Sequence, residues 1–178
     1  MVRKVLKKAD LKGHIRDIPD FPKEGIIFKD ITTLLKDKDA FKKSVDLFAK
    51  KFKKENIDLV VGVEARGFIF GAALAYKLGA GFVPVRKKGK LPSKTKSVSY
   101  ELEYGTDILE MHEDAINSKT RVLIVDDLLA TGGTIQAVIE LVKAEKAVIA
   151  GVAFLVELRF LKGKNKLKDL PVYSVIKY

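Results

Sequence analysis

Cysteine is absent from the 178 residues. That removes disulfides, thiolate nucleophiles and cysteine-ligated metals from consideration and fits a reducing compartment. No apolar run is long enough to span a bilayer. The opening residues, MVRKVLKKADLKGHIRDI, are too broken by charge for a secretion signal. The expectation is a soluble, cytoplasmic protein with no membrane partner. Internal repeats, low-complexity tracts and linkers are missing too, so a chain of this length reads as one domain with a sizeable core. Acid is the scarcer charge: 34 Lys and Arg stand against 23 Asp and Glu, for a net +11. Most of the excess lysines are scattered along predicted helices, which reads as a solvated surface; the basic stretch from Arg86 to Lys96 is set apart. The GxxxxGK[ST] and GxGxxG phosphate motifs are absent, and so is a helix-turn-helix pattern that would suit nucleic acid.

What is present is organised around Arg121 to Thr134, RVLIVDDLLATGGT. Val122 to Val125 predicts a strand buried on both faces and ended by Asp126 and Asp127. Ala130-Thr131-Gly132-Gly133-Thr134 follows, and Ile135, Val138, Ile139 and Val142 then recur at helical spacing. Glycines let backbone N–H groups approach an oxyanion, and the positive end of the helix dipole faces it. The two carboxylates would repel a phosphate, so they suit what lies beside it, either sugar hydroxyls or a metal ion.

Along the rest of the chain, Val2 to Ile18 predicts an amphipathic helix or an extended arm. Ile18 to Gly25 is a loop rich in proline. A helix is expected from about Asp37 to Asn56, with Phe41, Val45, Phe48 and Phe52 on one face. Asp58 to Val63 and Phe82 to Arg86 read as strands, with a small-residue helix between them capped by Gly79. Ser97 to Tyr104 and Asp107 to His112 alternate like a hairpin with one wet face, an accessory flap. Ala147 to Leu158 and Leu170 to Ile176 complete the strands. Alternation of strand and helix from residue 58 onward means an α/β fold with a parallel sheet flanked by helices. Ligands in such sheets bind beyond the carboxyl ends of the strands. The loops at such ends are 64–67, 86–96 and 126–134.

The strand, acid pair and TGGT loop together resemble the signature of the type I phosphoribosyltransferases. Further motifs narrow the likeness to their adenine-specific branch. These are Asp17-Ile18-Pro19-Asp20-Phe21-Pro22 with Phe28-Lys29-Asp30-Ile31-Thr32, Glu64-Ala65-Arg66-Gly67-Phe68, Arg86 to Pro92, and Tyr100-Glu101-Leu102-Glu103-Tyr104-Gly105, in this order. The likeness runs from about Ile15 to Tyr178. Glu24 and Ser93 depart from it, standing where a proline and a glycine are expected.

The resemblance implies transfer of a phosphoribosyl group from phosphoribosyl pyrophosphate to adenine, giving AMP and pyrophosphate. It implies a single domain with an N-terminal hood at about 1–35, a core at about 36–178 and a flexible flap at about 87–112. Residues Ala130, Thr131, Gly132, Gly133 and Thr134 would then hold the 5-phosphate, and Asp126 and Asp127 would meet the ribose hydroxyls. Arg66, Arg86, Lys87 and Lys90 would hold pyrophosphate. Phe28 would stack on the base, with backbone groups of Ile27 and Lys29 reading its edge. Glu103 would handle a proton on the imidazole ring of the base, and Tyr104 would pack over the ribose. Magnesium is expected on the substrate, with no dedicated protein side-chain ligand, and the chain is expected to form a homodimer. Two other readings stay open at this stage: an enzyme for another purine base, and a regulator that senses phosphoribosyl pyrophosphate and binds nucleic acid.

Overall fold

The structure, a computed structural model, describes residues 7–102 and 105–178. Its centre is a seven-stranded sheet in the order β5-β6-β4-β3-β7-β8-β9. The strands are β3 (Leu59–Val63), β4 (Gly81–Lys87), β5 (Thr95–Leu102), β6 (Gly105–His112), β7 (Arg121–Leu129), β8 (Val148–Glu157) and β9 (Val172–Lys177). Strands β4, β3, β7, β8 and β9 run parallel, as the alternation of elements requires. Each has a wholly apolar stretch because helices or the hairpin cover both faces. Val122, Leu123, Ile124 and Val125 are all fully buried, each worth roughly 1.5–3 kcal/mol relative to exposure.

Two cores lie on opposite sides of this sheet. On one side α2 (Lys38–Phe52) and α3 (Gly67–Leu78) bury Phe48, Phe52, Phe70 and Leu74. On the other, α4 (Gly133–Ala144) buries Ile135, Val138 and Val142 against the sheet and the hairpin. Helix α2 starts where its sequence says it should: the Asp37 side chain caps it, accepting from Asp39 N at 3.0 Å and Ala40 N at 2.9 Å. Gly79 closes α3 with φ of 70°, a left-handed cap that suits glycine.

Two expectations are corrected and one, the hairpin, is extended. The N-terminal arm, as far as it lies within the described residues, is a short 3-10 helix, Lys8–His14, followed by β1 (Arg16–Ile18); β1 pairs antiparallel with β2 (Phe28–Asp30), and a one-turn helix α1 (Thr32–Lys36) follows. Segments this short are stabilised by tertiary pairing and carry little periodicity of their own. The hairpin β5/β6 is part of the main sheet. Its β6 continues antiparallel from β4 through Arg86↔Glu110 and Lys87↔Leu109. Finally, β7 does not stop before the acids. Its pairing with β3 ends at Gly62↔Val125, but β8 carries it on through Asp126↔Phe154 and Leu128↔Val156 to Leu129↔Glu157. A backbone ladder is fixed by its neighbour and tolerates polar side chains, so a break in apolar pattern marked the end too early.

Candidate active site

Because β7 outruns β3, its last third overhangs the end of the sheet where the chain leaves β3 for α3. Adjacent strands β3 and β7 send their following helices, α3 and α4, to opposite faces. That is the geometry that opens a crevice at the carboxyl edge. A cleft of about 320 Å³ lies there. It is lined by Glu64, Ala65 and Arg66 from the β3–α3 turn, by Tyr100 from β5, and by the continuous stretch from Asp126 to Ile135. The Glu64–Ala65 peptide is cis.

The floor of the cleft is the glycine loop. Gly132, with φ of 84°, is the N-cap of α4, and Gln136 N bonds back to its carbonyl at 3.1 Å. The sequence pattern suggests that a side chain at Gly132 would obstruct the ligand. The structure gives a different reason for the glycine: a Cβ there would stand 2.8 Å from the carbonyl oxygen of Gly163. Gly163 opens the short 3-10 segment Gly163–Leu167 and backs the loop so closely that a Cβ of its own would collide with the Ala130 carbonyl and come within 3.0 Å of Gly132 N. Sequence reading missed Gly163, since it stands among lysines far from the TGGT run.

Asp126 and Asp127 both line the cleft, although successive strand residues point to opposite faces. Asp127 is 5% exposed, and its Oδ2 lies 2.8 Å from Arg66 Nε. That oxygen takes no aligned hydrogen bond among the described residues. Asp126 is half-buried; its Oδ1 accepts from Asp127 N at 2.8 Å and occupies the space a Cβ on Gly67 would need. Burial raises the pKa of Asp126 well above the usual carboxylate range, and the neighbouring Asp127 charge raises it further. Burial also raises Asp127, against the pull of Arg66. Two acids are thus held close together with one cation, Arg66, paired to the second of them.

Arg66 joins the acid pair to the N-terminal segment. Its guanidinium lies 5.3 Å from the Phe28 ring centre, a cation–π distance. Phe28 is half-buried and meets Phe21 edge-on at 5.2 Å, so it stands at the rim and not in the core. Ile27 beside it is 55% exposed. The Lys29 side chain is engaged elsewhere: its Nζ pairs with Asp17 at 2.7 Å and lies over Tyr178 at 4.2 Å.

The basic loop is held by acids of its own chain. Arg86 places Nε and Nη2 at 3.3 and 3.1 Å from the Glu64 carboxylate and donates through Nη1 to the Lys90 carbonyl at 2.9 Å. Glu64 also accepts from Lys87 N at 3.0 Å, and the Arg86 contact leads the causes that keep its pKa low. Lys87 Nζ pairs with Asp107 at 2.9 Å, and Gly89 N donates to Glu110 at 2.9 Å. Lys90 is exposed. Of the cations expected to hold pyrophosphate, only Arg66 lines the cleft in this conformation. Glu103 and Tyr104 lie outside the described residues. Sequence reading passed over Glu64 and Tyr100 as site residues. The signal for Tyr100 was the hairpin's alternation, which puts it on the drier face with Val98.

The model of the phosphoribosyl transferase domain family matches residues 30–177. An adenine phosphoribosyltransferase of Geotalea uraniireducens is 62% identical over 169 residues, which cover 95% of this chain and 99% of the relative. The crystal structure of adenine phosphoribosyltransferase from Thermoanaerobacter pseudethanolicus matches with a TM-score of 0.93 at 55% identity, covering 97% of this chain and 100% of that one. The Saccharomyces cerevisiae enzyme, complexed with an imino-altritol bisphosphate and adenine, matches with a TM-score of 0.89 at 43% identity, covering 94% of this chain and 97% of that one. On the family match and these likenesses, the chain belongs to the type I phosphoribosyltransferase family, on its adenine phosphoribosyltransferase branch.

Proposed function

We propose that the chain transfers the 5-phosphoribosyl group of phosphoribosyl pyrophosphate to adenine, giving AMP and pyrophosphate. The observation that carries this reading is the cleft itself: a helix-capped glycine loop beside two adjacent acids, one buried and one half-buried, whose carboxyls desolvation pushes up. A phosphate fits the loop through backbone N–H groups. The sugar then lies over Asp126 and Asp127, whose oxygens accept its hydroxyl protons. As the bond to pyrophosphate breaks, the sugar gains oxocarbenium character. Carboxylates already buried without enough donors then acquire the positive neighbour they lack, and this favours the transition state over the ground state.

Arg66 supplies charge for the leaving diphosphate and borders the Phe28 face on which a purine would stack. Arg86, Lys87 and Lys90 complete the diphosphate grip on closure of the loop, exchanging Glu64 and Asp107 for substrate oxygens. Glu103, between Leu102 and Gly105 in the hairpin sequence, is assigned the proton on the base, and Tyr104 the packing over ribose. Ile27 and Lys29 offer backbone groups to the edge of adenine. We assign residues 1–35 as a hood over the base and 87–112 as a flap, both parts of one domain with the core.

Magnesium fits the donor set as a substrate-borne ion. The cleft presents carboxylate oxygens at Asp126 and Asp127, the hard donors this ion prefers. When bound it neutralises diphosphate charge. A homodimer is supported by the outer face of α3, where Ile69 is 41% and Tyr76, two turns further on, 91% exposed. A cytoplasmic setting is supported by the lack of cysteine, and no described helix is long and apolar enough to cross a membrane.

Incubation with adenine, magnesium and phosphoribosyl pyrophosphate, with pyrophosphate release and AMP as readouts, tests the reading. Turnover with adenine supports it. Incorporation of hypoxanthine or guanine without adenine would overturn it, as would salt-dependent binding to duplex DNA with no turnover of any base.

A further inference from the structure

Strands β1 and β2 are three residues each, too short to hold a fixed place by their own pairing. Yet β2 carries Phe28, the rim residue that faces Arg66. The neighbouring Lys29 shows where the small sheet is anchored. It stands opposite Asp17 in the β1–β2 register, and its Nζ pairs with that carboxylate at 2.7 Å. The same ammonium lies 4.2 Å from the centre of the Tyr178 ring. Lys12, from the 3-10 helix that precedes β1, places its own Nζ 4.2 Å from the centre of that ring and 3.5 Å from the Lys177 carbonyl. Both are cation–π distances, and the Lys29 side chain is mostly buried, which strengthens the attraction over one in open water.

Tyr178 is itself fixed to the core. It follows β9, its N–H donates to the Glu157 carbonyl at 3.0 Å, and its backbone oxygen accepts from Arg159 N at 2.9 Å. Glu157 ends β8, the strand that pairs with the acid-bearing end of β7 through Asp126↔Phe154. One ring therefore links the strand that supports the acids to the strand that presents Phe28. We propose that Tyr178 is a positioning residue for the purine base: by holding Lys29 it sets the place of Phe28 against Arg66 and the cleft. The inference rests on the reading of Phe28 as the base face given above. Without the ring, β1 and β2 stay paired but can shift against the core, and the base must then order Phe28 as it binds, which weakens its affinity. The glycine loop, Asp126 and Asp127 belong to the core and keep their places, so phosphoribosyl pyrophosphate does not share the loss.

Steady-state kinetics in adenine at saturating phosphoribosyl pyrophosphate and magnesium, with calorimetry of phosphoribosyl pyrophosphate, test this on Tyr178→Leu, Tyr178→Phe, Lys29→Met and Phe28→Ala. Tyr178→Leu should raise KM for adenine about five-fold, the scale of such contacts, with kcat and the affinity for phosphoribosyl pyrophosphate near parental. Tyr178→Phe keeps the ring and should restore the parental KM. Lys29→Met should raise KM for adenine in the same way, and adding Tyr178→Leu to it should cost less than Tyr178→Leu costs alone. A parental KM in Tyr178→Leu beside a raised one in Phe28→Ala overturns the proposal and leaves the base reading standing. So does equal weakening of both substrates, which would mark a general loosening of the fold, or a KM in Tyr178→Phe as high as in Tyr178→Leu. A parental KM in Phe28→Ala, or a parent protein without turnover of adenine, overturns the functional reading and the proposal with it.

Discussion

Asp30 and Asp127 are buried to the same degree, at 6% and 5% exposure, yet their carboxyls move in opposite directions. Asp30, at the end of β2, accepts from Thr32 N at 2.9 Å, from the Thr32 hydroxyl at 2.8 Å, and from Arg16 Nε at 3.0 Å and Nη2 at 2.5 Å. The Thr32 backbone contact and then Arg16 lower its pKa to about 2. Asp127 has Arg66 at ion-pair distance but no aligned donor on Oδ2 among the described residues, and burial raises it. Asp126, with only the backbone N–H of its neighbour recorded on Oδ1, is raised further. The difference lies in which effect leads: hydrogen bonds from Thr32 and Arg16 outweigh desolvation at Asp30, whereas desolvation outweighs the donors at Asp126 and Asp127. The N-terminal sheet is folded around its acid. The cleft holds its acids short of partners that a sugar, and the positive charge it develops, would supply.

The comparison is tested first at the cleft. Asp126→Asn or Asp127→Asn should lower turnover by about a hundred-fold or more, with the melting temperature of the free protein unchanged or raised, since an amide removes a buried charge that lacked compensation. Unchanged turnover in both variants would mean the acids are structural, as Asp30 is. Gly163→Ala comes next. Its Cβ would press on the Ala130 carbonyl and the Gly132 amide, moving the loop that frames the acids. kcat/KM for phosphoribosyl pyrophosphate should fall roughly ten- to a hundred-fold. A variant with parental kcat/KM would show that Gly163 does not set the loop.

At the N-terminal sheet, Asp30→Asn should cost on the order of 1–2 kcal/mol of stability in urea unfolding, discounted because Arg16 is itself exposed at 58%. The sign with pH follows from the shift. The folded-state pKa of Asp30 is depressed from 3.8 to about 2, so its contribution is present above 3.8 and is lost as pH falls toward 2. Asp126 and Asp127 have raised folded-state pKa values, so they favour the folded state at acid pH and lose that as pH rises. The deficit of Asp30→Asn should therefore shrink on acidification. Any gain from Asp126→Asn should appear toward neutral pH and fade in acid. A parallel pH course for the two variants would break the distinction.

Much of the cleft was legible because its parts are contiguous: a buried valine-rich strand, two acids, a glycine turn and an amphipathic helix fall within Arg121 to Val142. Capping by Asp37 and Gly79 was legible for the same local reason. The two-stranded sheet was not, since β1 and β2 are three residues each and gain their structure from pairing across a loop. The reach of β7 past its acids depends on β8, which periodicity within β7 cannot report. Gly163 was invisible because its constraint is a contact with a backbone some thirty positions earlier. Arg86 and Lys87 were placed in the right loop, but their present partners, Glu64 and Asp107, come from other strands.

The most direct test is a carboxyl-carbon NMR titration of the aspartates in the free protein and with magnesium and phosphoribosyl pyrophosphate bound. Asp126 should titrate well above the usual carboxylate range in the free protein and fall when the substrate is bound, while Asp30 stays near 2 in both states. An Asp126 that titrates in the ordinary range in the free protein, or that does not respond to the substrate, would contradict the view that these acids are kept short of partners for the sugar.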